Sequence, residues 1–212
     1  NAVTATLSGD LNVNGTGSIV GNVDLTAANI TVAGSMNGDG KGYAGGTNSA
    51  AGSGPGGGSY GTSVGSSSAS GGGHAGYGGM TGNTSPVSST NYYGSTTNPV
   101  TYGSGGGGNS GAGSSGGSGG GAIKLTASGT LTVSGSVTAN ATDPSTGAGG
   151  GAGGSIWLTA ATLAGGGNIY AKASKESGWN AGGGSGGRIA LYYDTKTFSG
   201  NLQAYGGLSG AS

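Results

Sequence analysis

One recurrence constrains this chain more than any other feature: Ile123, Ile156 and Ile189 stand 33 residues apart, each inside a Gly-Gly-x-Ile-x-Leu string. The same offset relates Leu125, Leu158 and Leu191, while Val137, Ile169 and Leu202 follow at spacings of 32 and 33. Ala139, Ala171 and Ala204 come two residues later in each unit. Between these sites lie Leu131 with Val133, then Leu163, then Phe198, so every unit carries three short apolar segments. A fixed period with apolar residues at matching places marks stacked units, none of which can bury its apolar face alone.

The segments themselves read as strands. Val3, Ala5 and Leu7 alternate with polar neighbours, as do Leu11 with Val13, Val23 with Leu25, and Ile30 with Val32. Ser8-Gly9-Asp10 and Asn14-Gly15 supply turns between them. No apolar stripe of helical period runs for a useful length, and Gly costs roughly 1 kcal/mol per interior helix position. The expected fold is therefore all-β: a right-handed parallel β-helix of about five short turns, in which side chains of successive turns stack as inward ladders. A β-sandwich built from hairpins is the alternative.

The apolar residues divide a single domain, 1–212, into three parts. Residues 1–43 hold N-terminal β turns and 121–212 the repeat, whereas 44–120 form an insertion rich in Gly, Ser and Tyr. The chain has 58 Gly, and from Gly42 to Ile123 there is no Asp, Glu, Lys or Arg. That insertion and two shorter ones, 143–154 and 174–187, leave the stack after its third strand. One reading is a flexible Gly/Ser linker. The other is that runs such as Gly71–Gly73, Gly105–Gly108 and Gly182–Gly187 pack as polyglycine II helices, with bare backbones close enough to bond laterally. Tyr43, Tyr60 and Tyr77, each 17 residues apart, favour the packed reading, since a free linker has little use for aromatic rings.

Several strings, Thr26-Ala-Ala-Asn-Ile-Thr-Val, Asp39-Gly-Lys-Gly-Tyr, Gly119-Gly-Gly-Ala-Ile-Lys-Leu, Gly153-Gly-Ser-Ile-Trp-Leu and Gly186-Gly-Arg-Ile-Ala-Leu-Tyr-Tyr, resemble a Gly-rich β-helix-like module of large secreted and cell-surface bacterial proteins. The Gly runs are also similar to polyglycine II segments of phage tail-tip adhesins. The resemblance implies an extracellular structural or adhesive module and supplies no catalytic residues.

Charge and chemistry point the same way. Charged residues make up only 6% of the chain and balance to zero, which removes the basic surface that nucleic acid or an anionic membrane requires. Cysteine is absent, so neither disulfides nor thiolate metal sites are available. No apolar run approaches the roughly 20 residues of a membrane span. Asp10, Asp24 and Asp39 fall at turns and read as caps. His74 is the sole histidine, with no acid near it in sequence, and Arg188 is the sole arginine. No catalytic residue, cofactor or metal site is expected, and the chain reads as a non-enzyme.

The functional expectation follows from the stack's ends. An uncapped β-helix exposes unpaired N–H and C=O groups there, and a head-to-tail contact that does not close makes a filament. The expected role is an extracellular or cell-surface fibre subunit whose partners are copies of itself. Val3, Ala5, Leu7, Phe198, Leu202 and Ala204 are its candidate assembly edges. The alternative is an adhesin or a carbohydrate- or ice-binding module contacting surface glycans through Tyr43, Tyr60, Tyr77 and Trp179.

Overall fold

In a computed structural model of the chain, the residues described are 2–62, 69–80, 91–110, 113–175 and 181–208. Among them are β1 (Val3–Thr6), β2 (Leu11–Val13), β3 (Ser18–Val20), β4 (Val23–Ala27), β5 (Ile30–Val32), β6 (Ser35–Asn37), β7 (Ala122–Ala127), β8 (Thr130–Val133), β9 (Ser136–Thr138), β10 (Ser155–Ala164), β11 (Asn168–Tyr170), β12 (Arg188–Lys196) and β13 (Asn201–Gln203). The described residues contain no helix. All strand pairs are parallel.

The strands form two sheets. One runs β1-β4-β7-β10-β8-β5-β2 with β12 added to β10, and the other runs β13-β11-β9-β6-β3. The 33-residue offset is the pairing register: Ile156 has Ile123 as its partner on one side and Ile189 on the other, and Leu158 stands likewise between Leu125 and Leu191. Side chains alternate in and out with the pleat, so these residues fall on one face. Ile30, Met36, Leu125, Leu131, Ile156 and Ile169 are fully buried in one continuous core. Each contributes roughly 1.5–3 kcal/mol by leaving water.

The architecture corrects the expectation of a right-handed parallel β-helix. Instead of three separate faces, the larger sheet curls through 254° into a half-barrel. The joint is β10, whose first half pairs with β7 and whose second half pairs with β8. The cause is local and lies in the sequence. Ser128-Gly129 breaks the chain between β7 and β8, whereas Thr159-Ala-Ala-Thr162 contains no turn residue, so one strand of ten residues spans both positions. β12 does the same over nine residues, Arg188–Lys196.

The Gly-rich runs depart from expectation as well. Gly71–Gly73, Gly105–Gly108 and 182–187 form no regular helix or strand, so the polyglycine II description does not hold. The runs are nonetheless tied to one another through the backbone. Gly106 N donates to Gly117 O at 2.9 Å, Gly117 N to Gly149 O at 3.0 Å, Gly149 N to Gly107 O at 2.9 Å, and Gly107 N to Ser70 O at 3.0 Å. A second chain of bonds leads from Gly72 N to Gly150 O, from Gly150 N to Gly182 O and from Gly182 N to Ala69 O, each 2.9 Å long. The segments approach so closely that a methyl group on Gly119 would overlap Gly103 O, and one on Gly154 would overlap Gly121 O. Backbone bonding replaces apolar burial as the cohesion of this layer.

Candidate functional site

The chain's only histidine sits where this layer meets the larger sheet. His74 is 0% exposed. Its ring Nδ1 lies 2.7 Å from Gly153 O, and a carbonyl can only accept, so Nδ1 carries the proton. Nε2, 2.9 Å from Thr101 Oγ1, therefore accepts from that hydroxyl. His74 N donates to Ser185 Oγ at 2.7 Å. Burial drives the imidazole pKa down to about 4, the Gly153 bond opposes that shift, and the Arg188 charge adds to it. The ring is neutral at pH 7, with both nitrogens committed.

Around it stand groups from distant parts of the chain. The Tyr93 ring lies 5.0 Å from the imidazole. Its hydroxyl donates to Tyr102 O, leaving Ser104 Oγ, at 2.7 Å, to donate to the phenol oxygen. Burial pushes Tyr93 up to about 12, against the Ser104 hydrogen bond, which lowers it. Ser155 Oγ donates to Thr101 O at 2.6 Å. Ser70, Ser174 and Ser185, all buried, accept backbone N–H bonds from Ser59, Gly151 and His74. A nucleophile needs a free base beside it. Here the base is spent on a hydroxyl and a carbonyl, and no carboxylate orients it.

A second concavity, an open groove of about 690 Å³, is lined in part by Asp39, Asn140, Asp143, Lys172 and Tyr205. Its polar groups are largely used as ladder rungs. Asp39 Oδ1 accepts from Asn140 N at 2.7 Å, and Asn140 Oδ1 from Lys172 N at 2.9 Å. The Lys172 ammonium lies over the Tyr170 ring at 4.3 Å. Asp10 is equally engaged, accepting from Asn29, whereas Asp24 lies within β4 and not at the turn expected of it, and pairs with Lys124 at 3.1 Å. Among the described residues no group of three or more His, Asp or Glu stands together as a metal site, and no helix is long and apolar enough to cross a membrane.

The expected edge residues stand on β1 and β13 and in the chain beside them. Val3, Ala5, Leu7, Leu202 and Ala204 are exposed, but Phe198 is 4% exposed and belongs to the core. The two ends also differ in form: β1, β2 and β3 are short separate strands, whereas the other end presents the continuous β12. Such ends lack the matched rungs that head-to-tail growth would require, and the filament expectation is corrected accordingly. Of the expected contact aromatics, Tyr43 is half-buried against Tyr102, Tyr60 is exposed, and Tyr77 meets Tyr92 edge-on at 5.5 Å. Trp179 lies outside the described residues. The cluster of His74, Tyr93, Thr101 and Arg188 was not foreseen, because its members are far apart in sequence; that His74 and Arg188 are the only residues of their types was the one available signal.

No family model, curated protein or solved structure matches the chain. The resemblance to a β-helix-like module of secreted bacterial proteins is overturned by the curled two-sheet architecture, and neither the fibre role nor the adhesive, carbohydrate- or ice-binding alternative gains support from a relative.

Proposed function

We propose that this chain is a non-catalytic scaffold: a rigid unit whose shape is its contribution, placed outside the cell. The observation that carries this reading is the position of Gly106. Its N–H donates to Gly117 O, its carbonyl accepts from Gly46 N, and a methyl group on it would overlap Gly149 O. One residue thus touches three other segments through bare backbone. Ordering glycine carries the largest entropy loss of any residue, and a sequence that orders many of them this way favours rigidity over reactivity. The neutral, doubly bonded His74 supports the non-catalytic part. A backbone already bonded to its neighbours is a poor protease substrate, which suits an extracellular setting. The zero net charge gives no support to a nucleic-acid partner.

Native-state digestion with a broad-specificity protease, with cleavage sites mapped by mass spectrometry, tests this. The scaffold reading expects residues 42–58, 103–110 and 145–154 to stay intact for as long as β10 does. Rapid cleavage inside those segments, with β10 uncut, would refute it.

A further inference from the structure

All ten tyrosines fall among the described residues, and two pairs of them bring their rings together. Tyr43 and Tyr102, with ring centroids 5.9 Å apart, are both half-buried. Tyr77 and Tyr92 stand edge-on, with centroids 5.5 Å apart and an interplanar angle of 89°, yet they are 61% and 63% exposed. Burial does not hold this second contact; the backbone on either side does. Next to Tyr77, Gly79 N donates to Gly183 O at 2.7 Å, and next to Tyr92, Tyr93 N donates to His74 O at 3.1 Å. Tyr93 is itself fixed, its ring against His74 and its hydroxyl between Tyr102 and Ser104.

Among the described residues no hydrogen bond holds either hydroxyl of the pair, whereas those of Tyr93, Tyr170 and Tyr192 are each donated to an acceptor. A solvated phenol within reach of an oxidant loses one electron and one proton, leaving a radical shared between the oxygen and the ring carbons ortho to it. Two such radicals side by side combine through those carbons. Exposed side chains reorient within nanoseconds, so an edge-on pair reaches the coupling geometry while the backbone stays in place. The other exposed tyrosines have no such neighbour. Tyr60 and Tyr205 make no ring contact with another tyrosine, and Tyr192 and Tyr193, adjacent in β12, point to opposite faces of the sheet.

We propose that Tyr77 and Tyr92 are a modification site, coupled to each other as dityrosine by a haem peroxidase acting with hydrogen peroxide. Each phenol gives one electron and one proton to the oxidant, and a bond forms between one Cε of Tyr77 and one Cε of Tyr92. The hydrogen on each of those carbons passes to its own ring oxygen, which restores both hydroxyls, and the two hydrogens lost reduce one peroxide to two waters. The coupling depends on the ring pair alone and not on the scaffold reading. The test is treatment of the dilute, unaltered chain with a haem peroxidase and hydrogen peroxide, followed by intact mass, dityrosine fluorescence and mapping of cross-linked peptides. A monomer lighter by two hydrogens is expected, with the link mapped to Tyr77 and Tyr92. Tyr77→Phe and Tyr92→Phe, both at exposed rings, should each lose that product. A monomer without dityrosine, dityrosine found only between chains, or an internal link that chiefly joins other tyrosines would overturn the assignment. The mapping needs no variant, so it decides the matter even where a variant fails to fold.

Discussion

The imidazole Nδ1 of His74 donates to the carbonyl oxygen of Gly153, 2.7 Å away and 79 residues along the chain. This bond joins the long insertion to the segment leading into β10, while the acceptor role of Nε2 towards Thr101 Oγ1 and the burial of the ring both require the neutral form. In the unfolded chain the same histidine titrates at its ordinary value of 6.5, against about 4 in the fold. Between those values the unfolded state binds the extra proton, so stability rises with pH across the window and falls as pH drops from 6.5 towards 4. The full loss is roughly 3 kcal/mol. Urea unfolding at pH 7.5, 5.5 and 4.0 checks this, and His74→Gln should flatten the dependence while lowering stability at pH 7.5.

Close approach of bare backbones predicts sharply uneven alanine effects. Gly119→Ala and Gly154→Ala would each press a methyl group into a carbonyl oxygen, whereas nothing lies within 4 Å of a methyl on Gly76. The first two should each cost about 2 kcal/mol or more, and Gly76→Ala should stay within about 0.5 kcal/mol of the parent. Denaturant midpoints of the three variants measure the contrast.

The ladders predict a gradient along the stack. Leu158 is 1% exposed between Leu125 and Leu191, while Val3, in the terminal β1, is 66% exposed. Leu158→Ala should cost about 2–5 kcal/mol and Val3→Ala less than about 0.5 kcal/mol. Thermal unfolding of both variants decides whether the core is centred on β10.

These features were unequally legible in the sequence. The spacing of Ile123, Ile156 and Ile189 contained the register, because parallel strands carrying identical residues in line bury one continuous face. The bend is not legible in the unit pattern, which sets Leu158 and Leu163 in separate apolar segments, whereas the uninterrupted Thr159-Ala-Ala-Thr162 carries one strand through both. The anchoring of His74 was out of reach: its partners Gly153, Thr101 and Ser185 are set by how the Gly segments stack, and glycine offers no side-chain pattern from which to read that. Of the three acids expected at turns, Asp24 lies within β4 instead, and that Asp10 and Asp39 each reach the next pass of the chain, at Asn29 and Asn140, depended on the register.

Asn29 is the clearest of these turn links. Its Nδ2 donates to Asp10 at 2.9 Å and its Oδ1 accepts from Thr130 N at 2.8 Å, so it joins three consecutive passes. Asn29→Ala should cost about 1–2 kcal/mol despite the exposed setting, since each such bond contributes on the order of 1 kcal/mol. Asp10→Ala, which removes only one side of the link, should cost less. Unfolding free energies of the two variants test the order.

Amide hydrogen exchange tests the ordered glycine layer most directly. The N–H groups of Gly72, Gly106, Gly117, Gly149 and Gly150 all donate to backbone carbonyls of other segments. They are predicted to exchange as slowly as the central amides of β10, with protection that disappears only on global unfolding. Exchange at unfolded-chain rates at these five glycines, while β10 remains protected, would contradict the account.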